Sequence, residues 1–247
     1  MRGLFVTGTD TGVGKSVLSA ALVAAMAQAG MRVRASKPVV TGLAEPPEAR
    51  AGWPADHELL AGIAGMAPEE VSPLRLGAAA SPHLAAELEH VRIEPAELVA
   101  GVRSAARDAE IVIVEGAGGL LVPLAPGYLL RDLVVELGLP LVIAARPGLG
   151  TINHTLLTLE AARAAGLDVR AVVLTPWPSR PDAVERSNRD TIAALGGVEV
   201  ETLAVVEEPS AEQLARAGER LPWRRWIDRE RGRSDGSRRK VAGPDDG

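Results

Sequence analysis

Apolar and polar positions along the chain form two kinds of segment. Short apolar runs, such as residues 4–6, 111–114 and 141–145, are typical of strands that are covered on both faces of a parallel sheet. Longer segments with apolar residues three or four positions apart, such as residues 93–109, are typical of amphipathic helices. Because strands and helices follow each other in turn, the pattern predicts a three-layer α/β fold with a mostly parallel sheet and helices on both faces.

The predicted elements cover most of the chain. Residues 31–36 alternate apolar and polar positions, which is typical of a strand near a sheet edge. Residues 43–54, which are rich in Pro and Gly, and residues 66–80 are predicted to be irregular. Strands are predicted at 4–6, 31–36, 111–114, 141–145, 169–174 and 200–204, and helices at 17–29, 56–64, 81–88, 93–109, 129–137, 155–165, 182–195 and 210–217.

A glycine-rich stretch joins the first strand to the first helix. Residues 8–16 are Gly-Thr-Asp-Thr-Gly-Val-Gly-Lys-Ser, with five residues between Gly8 and Gly14. Glycines let consecutive backbone N–H groups face one point, and the helix N-terminus and the Lys15 ammonium add positive charge there. The Ser16 hydroxyl is placed to contact the Mg²⁺ that accompanies a nucleotide. The stretch predicts a P-loop nucleotide site, and a glycine-rich turn before an ordinary helix is the alternative.

Lys37 follows the second predicted strand and stands directly before Pro38. Ligands of open α/β sheets bind at the carboxyl ends of the strands, so Lys37 is predicted to lie beside the phosphate loop. A solvated charge is the alternative, although the stiff Pro38 is more than such a lysine requires. Asp56 opens the next predicted helix, where a carboxylate is also a common cap.

Glu115 ends the apolar strand 111–114 and is followed by Gly-Ala-Gly-Gly. A carboxylate at this edge of the sheet is suited to hold Mg²⁺, and glycines let the following loop approach phosphates closely. A strand that simply ends in a polar turn is the alternative. Further along the chain, Thr151 or Asn153 is predicted to cap the helix at 155–165, whose free N–H groups would suit a carboxylate.

The composition limits the class of protein. A chain of 247 residues fits one α/β domain, predicted here to span residues 1–222. Residues 223–247 are basic, lack apolar periodicity and are predicted to be a disordered tail, although a nucleic-acid role for them is an alternative. The formal net charge of −5 argues against a nucleic-acid partner for the whole.

The absence of Cys excludes disulfides and thiol chemistry and suits a reducing compartment. We expect a cytoplasmic protein, since the chain enters its first strand without room for a secretory signal and has no apolar stretch of membrane-spanning length. The four His lack the spacing of a transition-metal site, and no Gly-x-Ser-x-Gly elbow is present.

Five motifs together resemble those of the dethiobiotin synthetase family, over roughly residues 3–220. They are the phosphate loop at 8–16, Lys-Pro-Val at 37–39 with Thr41-Gly42, Ser-Pro-His at 81–83, Glu-Gly-Ala-Gly-Gly at 115–119 and Leu-Gly-Thr-Ile-Asn-His at 149–154. The resemblance implies a homodimeric ligase of biotin biosynthesis. Such an enzyme uses Mg²⁺, ATP and CO₂ to close diaminopelargonic acid into the cyclic urea of dethiobiotin.

Carried over by position, the resemblance also implies the roles of individual residues. It makes Lys37, Lys15 and Thr11 catalytic, and it assigns Mg²⁺ to Ser16, Asp56 and Glu115. The diamine substrate is assigned to Thr11, Lys37, Thr41, Gly118, Leu149, Gly150, Thr151 and Asn153. The nucleotide is assigned to Gly12, Val13, Gly14, Lys15, Ser16, Val17, Asp56, Glu115, Gly118, Thr175, Pro176, Ala204, Val205 and Val206.

The chain departs from this family at the expected nucleobase pocket. The sequence Thr-Pro-Trp-Pro-Ser-Arg-Pro at 175–181 stands where the family has an adenine-recognising Asn, and Ala-Val-Val-Glu at 204–207 replaces a Pro-His-Leu turn. We therefore expect triphosphate binding with weak preference for ATP over other nucleotides. A partitioning-type ATPase switch is the rival function, but Asp10 stands where those proteins carry their signature lysine.

Overall fold

The computed structural model describes residues 1–44 and 52–228, and its central element is a six-stranded parallel sheet. The strands are β1 (Gly3–Gly8), β2 (Val33–Ser36), β3 (Val39–Val40), β4 (Leu74–Arg75), β5 (Ile111–Gly119), β6 (Pro123–Ala125), β7 (Tyr128–Leu129), β8 (Leu141–Ala145), β9 (Val169–Trp177) and β10 (Val200–Ala204). The helices are α1 (Lys15–Gln28), α2 (Asp56–Ala64), α3 (Pro68–Val71), α4 (Pro82–Leu88), α5 (Pro95–Ala105), α6 (Leu130–Leu137), α7 (Thr151–Ala164), α8 (Ala183–Gly196), α9 (Ala211–Glu219) and α10 (Trp223–Asp228).

The main sheet has the strand order β10-β9-β8-β1-β5-β2. The strand predicted at 31–36 therefore lies at a sheet edge, as its alternating pattern indicated. The β1 strand lies between β5 and β8, so the loop after β1 meets the carboxyl ends of strands on both sides. This position is where open α/β sheets bind their ligands.

Successive residues of the buried strands face opposite layers. In β5, Ile111 and Ile113 enter one apolar core, whereas Val112 and Val114 enter the other. The first core contains residues of α1, α2, α9 and α10, and the second contains residues of α4, α5, α6, α7 and α8. Because side chains of a strand alternate between faces, a continuous apolar strand requires helices on both sides. The predicted three-layer fold is confirmed.

Several element boundaries differ from the prediction. Residues 66–80 contain α3 and β4, and β4 pairs with β3, which stabilises a stretch predicted to be irregular. Helix α7 begins at Thr151 rather than 155, because Gly150 adopts the left-handed conformation (φ 85°) that precedes it. Neither Thr151 nor Asn153 therefore caps this helix. Residues 45–51 of the predicted loop lie outside the described residues.

The folded chain extends past the domain boundary predicted at residue 222. Helix α10 buries Trp223 and Trp226 in the first core, and the Trp226 Nε1–H donates to Glu199 Oε1 at 3.0 Å. Two large aromatic side chains three positions apart thus anchor a helix whose other residues are mostly polar. Residues 229–247, which form most of the predicted disordered tail, lie outside the described residues. Within the described parts, no helix is both long and apolar enough to cross a membrane.

Candidate active site

The loop between β1 and α1 has the backbone that a phosphate site requires. Gly12 and Gly14 have φ angles of 70° and 89°, a region that residues with a Cβ rarely adopt. At Gly14 a Cβ would also lie 2.8 Å from the Cγ2 of Thr175. No side-chain hydrogen bond caps α1 in the described structure. The N–H groups of its first turn therefore remain available to an anion.

Two lysines lie beside this loop, and both are almost completely buried. Lys15 is 7% exposed and Lys37 is 4% exposed. The sequence has three lysines in all, the third being Lys240, whereas the other basic residues are arginines. A lysine ammonium is a compact point charge that can be placed in a narrow site, unlike the wide planar guanidinium. Both lysines of the described chain are thus at the one place where such a charge is useful.

The Lys15 ammonium turns back onto its own loop. Its Nζ donates to the backbone carbonyl oxygen of Asp10 at 2.8 Å. Burial lowers the pKa of Lys15 to about 8, although the nearby negative charge of Glu115 opposes the shift. The Asp10 carboxylate accepts the Thr11 N–H at 2.7 Å and the Arg146 guanidinium at 3.1 Å. The start of the loop is therefore held by the residue that follows β8.

Lys37 joins two carboxylates that come from distant parts of the sequence. Its Nζ donates to Asp56 Oδ2 at 2.5 Å and to Glu115 Oε1 at 2.7 Å. Glu115 Oε1 also accepts the Ser16 hydroxyl at 2.8 Å. The register of the sheet explains the meeting, because Ser36 of β2 pairs with Val114 of β5 and the next residues are Lys37 and Glu115.

The electrostatics of this cluster are strongly coupled. Burial alone would lower the pKa of Lys37, but the negative charges of Glu115 and Asp56 outweigh burial and raise it. Desolvation would raise the pKa of Asp56, but the Lys37 charge and hydrogen bond outweigh it and lower that pKa. Lys37 and Asp56 are therefore charged at neutral pH, beside the Glu115 side chain, which is completely buried. Asp56 begins α2 but is bound to Lys37, so its side chain is part of the site.

A cavity of about 750 Å³ opens from these residues. Its walls combine the polar phosphate loop and the two lysines with apolar side chains that include Val39, Leu59 and Val122. The residues that line the cavity are Thr11, Gly12, Gly14, Lys15, Ser16, Val17, Lys37, Val39, Val40, Thr41, Gly42, Trp53, Pro54, Asp56, Leu59, Ala79, Ala80, Ser81, Pro82, Ala117, Gly118 and Val122.

Most of the residues predicted at the phosphate end lie together at this cavity. Glu115 does not line it but reaches it through hydrogen bonds to Ser16 and Lys37. Val13 is fully buried beneath the loop and packs in the first core. Sequence reasoning missed the walls at 53–54 and 79–82. The helix predicted at 81–88 is present as α4 with Ser81 as its N-cap, but the position of Ser81 and Pro82 at the cavity depends on the pairing of β3 with β4.

The other predicted residues lie on the opposite side of β1. Leu149, Gly150, Thr151 and Asn153 follow β8 and do not line the described cavity, and Leu149 is 91% exposed. The loop before them is fixed by Asn188 of α8, whose Nδ2 donates to the carbonyl oxygens of residues 147 and 148 at 2.8 and 3.1 Å. Thr175, which packs on Gly14, belongs to a second group of predicted residues at the ends of β9 and β10, with Pro176, Ala204, Val205 and Val206.

Phosphate loop, parallel sheet and buried lysines together define a P-loop nucleotide-binding α/β protein. Two solved structures have a similar fold. A ParA family ATPase from Chlorobium tepidum TLS gives a TM-score of 0.51 at 16% identity over 89% of this chain and 91% of that one. The cell division ATPase MinD of Pyrococcus furiosus gives 0.52 at 17% identity over 88% and 89%. At these identities the similarity concerns the fold alone.

The sequence comparisons identify the family. A family model described as an AAA domain matches residues 2–215. The ATP-dependent dethiobiotin synthetase BioD of Anaeromyxobacter sp. strain Fw109-5 is 45% identical over 201 residues, 81% of this chain and 87% of that protein. The synthetase of the same name from Bacillus subtilis strain 168 is 36% identical over 202 residues, 81% and 85% of the two chains. The chain belongs to the family of ATP-dependent dethiobiotin synthetases.

Proposed function

We propose that this ATP-dependent ligase closes 7,8-diaminopelargonic acid into dethiobiotin with CO₂ and ATP, and releases ADP and phosphate, in biotin biosynthesis. The observation that carries the proposal is the convergence of two buried lysines, Lys15 and Lys37, on one end of a cavity that begins at a phosphate loop. The names of the relatives support this choice of reaction, since they state dethiobiotin as the product and a dependence on ATP.

The reaction places a particular demand on the site. One amine of the substrate adds to CO₂ and forms a carbamate, which is a poor electrophile. A carbamate oxygen then takes the γ-phosphoryl group of ATP, and the second amine attacks the carbonyl carbon of the mixed anhydride and expels phosphate. Negative charge accumulates on the transferred group, and fixed positive charges stabilise it without any proton transfer.

The positions of the two lysines support this part of the proposal. We assign Lys15 and the loop N–H groups to the β- and γ-phosphates, as in other phosphate loops. Lys37 lies at the same end of the cavity, so we assign it to the carbamate and to the phosphoryl group as that group moves. The hydroxyls of Thr11 and Thr41 line the cavity and would contact the diamine or its carbamate, and Gly118 leaves room beside them.

Ser16, Asp56 and Glu115 would hold Mg²⁺. All three supply oxygen ligands, and Glu115 Oε2 is buried without a hydrogen-bond partner in the described structure, so an acceptor is available. The described residues contain no group of three or more His, Cys, Asp or Glu that could bind a metal alone. This scarcity suits Mg²⁺, which keeps phosphate oxygens and waters among its ligands. When bound, the ion would neutralise charge on the nucleotide phosphates.

The apolar walls of the cavity suit the rest of the substrate. Diaminopelargonic acid carries a hydrocarbon chain, and Val39, Leu59 and Val122 offer apolar surface within the same cavity. These walls would also keep water from the mixed anhydride, whose hydrolysis would waste ATP.

We further propose a homodimer whose substrate channel lies near the interface. The supporting observation is that Leu149, at the start of the predicted substrate loop, is 91% exposed although the loop around it is held firmly. Residues 149–153 would then line the channel from a second copy. The proposal includes a cytoplasmic location, which the absence of Cys suits.

The nucleobase would bind near Thr175, Pro176 and residues 204–206, and we propose that it is weakly discriminated. The described strand ends offer no Asn side chain there, so recognition would rely on shape and backbone groups. The partitioning-type switch has less support. Asp10 is paired with Arg146 and cannot act as the positive signature residue of such switches.

The decisive test is product formation by the purified protein. Diaminopelargonic acid, bicarbonate and Mg²⁺ are incubated with ATP, CTP or GTP in parallel, and dethiobiotin and phosphate are quantified by mass spectrometry and a phosphate assay. We expect dethiobiotin and phosphate in equal amounts with at least one nucleotide. Triphosphate binding without product from any nucleotide would contradict the proposed function and favour a switch.

A further inference from the structure

The carboxylates assigned to the metal already hold a cation. The Lys37 ammonium lies 2.5 Å from Asp56 Oδ2 and 2.7 Å from Glu115 Oε1, and Lys37 is 4% exposed. These two carboxylates and Ser16 are the oxygen ligands proposed for Mg²⁺. Lys37 therefore lies between two of the carboxylates that a divalent ion would need as ligands.

A metal ion and the ammonium compete for the same oxygen atoms. Mg²⁺ requires its ligands at about 2.0–2.1 Å in near-octahedral geometry, and a lysine N–H bond to the same oxygen uses the lone pair that would face the ion. Two cations within a few ångströms also repel each other, and the burial of Lys37 and Glu115 strengthens that repulsion. Glu115 Oε2, which has no described hydrogen-bond partner, would be able to contact the ion.

We infer that the Lys37 ammonium is the resident counter-ion of the metal site and that metal binding displaces it toward the cavity. Without it, Glu115 would be a buried charge with a single hydroxyl partner, which is costly. With metal bound, the carboxylates are neutralised by the ion, and the ammonium is released to the end of the cavity where the reacting groups are proposed. The inference rests on the proposed metal ligands and adds a second position for Lys37.

Lys15 provides the matched contrast. It is a buried ammonium of the same cavity, but its Nζ contacts the carbonyl oxygen of Asp10 and not the two carboxylates. Removing Lys15 lowers the positive charge of the site by the same amount as removing Lys37, but it leaves Asp56 and Glu115 occupied. A comparison of the two variants thus separates the displacement of Lys37 from a general change in the charge of the site.

The test measures Mn²⁺ binding to nucleotide-free protein by electron paramagnetic resonance. We expect Lys37→Met to bind Mn²⁺ at least about tenfold more tightly than the unmodified protein, because a competing charge has been removed, and Lys15→Met to change the affinity much less. Adding Asp56→Asn to Lys37→Met should reverse the gain. Equal or weaker binding by Lys37→Met, or an equal gain in both lysine variants, overturns the inference.

A second measurement uses the unmodified protein, in case Lys37→Met does not fold. Since the sequence has three lysines, ¹⁵N-lysine labelling gives a simple ammonium spectrum, in which Lys37→Arg identifies the Lys37 signal. We compare β,γ-imido-ATP without metal and with Mg²⁺. A Lys37 signal that moves only when Mg²⁺ is present supports displacement, and an unchanged signal overturns it. Neither measurement needs the diamine, so a failed dethiobiotin assay leaves both interpretable.

Discussion

The two sides of β1 differ at the edge where ligands are expected. On the β5 and β2 side, Glu115 is fully buried and is joined by hydrogen bonds to Lys37 and Ser16. On the β8, β9 and β10 side, Leu149 is 91% exposed and Val205 is 40% exposed. The first side is complete within one chain, because buried charges must find their partners there. The second side leaves apolar surface that a nucleobase or a second copy would cover.

We expect the second side to be open only at its loops. Trp226 is 1% exposed and lies on α10, where its Nε1–H donates to Glu199, the residue before β10. Trp226→Ala should lower the free energy of unfolding by about 3–5 kcal/mol, as for other large core side chains. Urea unfolding measures this loss of unfolding free energy. The control is Arg224→Ala, which changes an exposed residue of the same helix. A loss below about 1 kcal/mol would mean that α10 is not part of the folded core.

The first side is tested by Lys37→Ala. Removal of a charge-stabilising group should lower turnover by about a hundredfold or more. Dethiobiotin formation at saturating substrate measures the effect, and Arg216→Ala, whose exposed ion pair with Glu212 lies on α9, is the control. Unchanged turnover would remove Lys37 from the mechanism.

The contact between the two sides is tested at Gly14. Gly14→Ala places a Cβ 2.8 Å from the Thr175 side chain at a φ of 89°, whereas Gly12→Ala meets no atom within 4 Å at a φ of 70°. The left-handed backbone costs each variant about 1–2 kcal/mol. We expect Gly14→Ala to bind a fluorescent ATP analogue about tenfold more weakly than Gly12→Ala does, because only the Cβ at residue 14 forces the loop to move. Equal affinities of the two variants would show that Thr175 does not restrain the loop.

A smaller effect is expected for the nucleobase. Since no Asn stands at 175–181, ATP, CTP and GTP should differ by less than about tenfold in kcat/KM, roughly 1.4 kcal/mol. Parallel initial rates measure the ranking. Strong discrimination against CTP and GTP would show that the strand ends recognise adenine by groups that the sequence does not reveal.

The smallest effect is expected at the edge strand β10. Burial, with the neighbouring Glu199 charge, raises the pKa of Glu201, so the folded state favours the protonated form. The associated stability is present below the unfolded pKa near 4.5 and is lost as pH rises through the folded value. Glu201→Gln should therefore stabilise the protein by a few tenths of a kcal/mol at pH 7 and have no effect near pH 4. Destabilisation at pH 7 in thermal unfolding would contradict this.

The sequence predicts those parts of the site that local patterns determine, and it does not predict those that depend on tertiary contacts. The sequence predicts Lys15 and Glu115 at the carboxyl edge of the sheet because strong apolar patterns mark β1, α1 and β5. In the structure Lys15 begins α1, and Glu115 lies inside β5, which continues past the predicted strand end to Gly119. The meeting of Asp56 with Lys37 was open, because a carboxylate at a helix start is also an ordinary cap. Helix α10 was missed because its six residues are too few to show periodicity, and its order depends on the core that Trp226 enters.

Transfer of an isotope label tests the proposal that a carbamate oxygen takes the phosphoryl group. The reaction is run for a short time with ¹⁸O-labelled bicarbonate, the diamine, Mg²⁺ and unlabelled ATP, and the released phosphate is analysed by mass spectrometry. We expect the phosphate to gain one labelled oxygen for each dethiobiotin formed. Unlabelled phosphate accompanying labelled dethiobiotin would contradict it, because the phosphoryl group would then have gone to another acceptor.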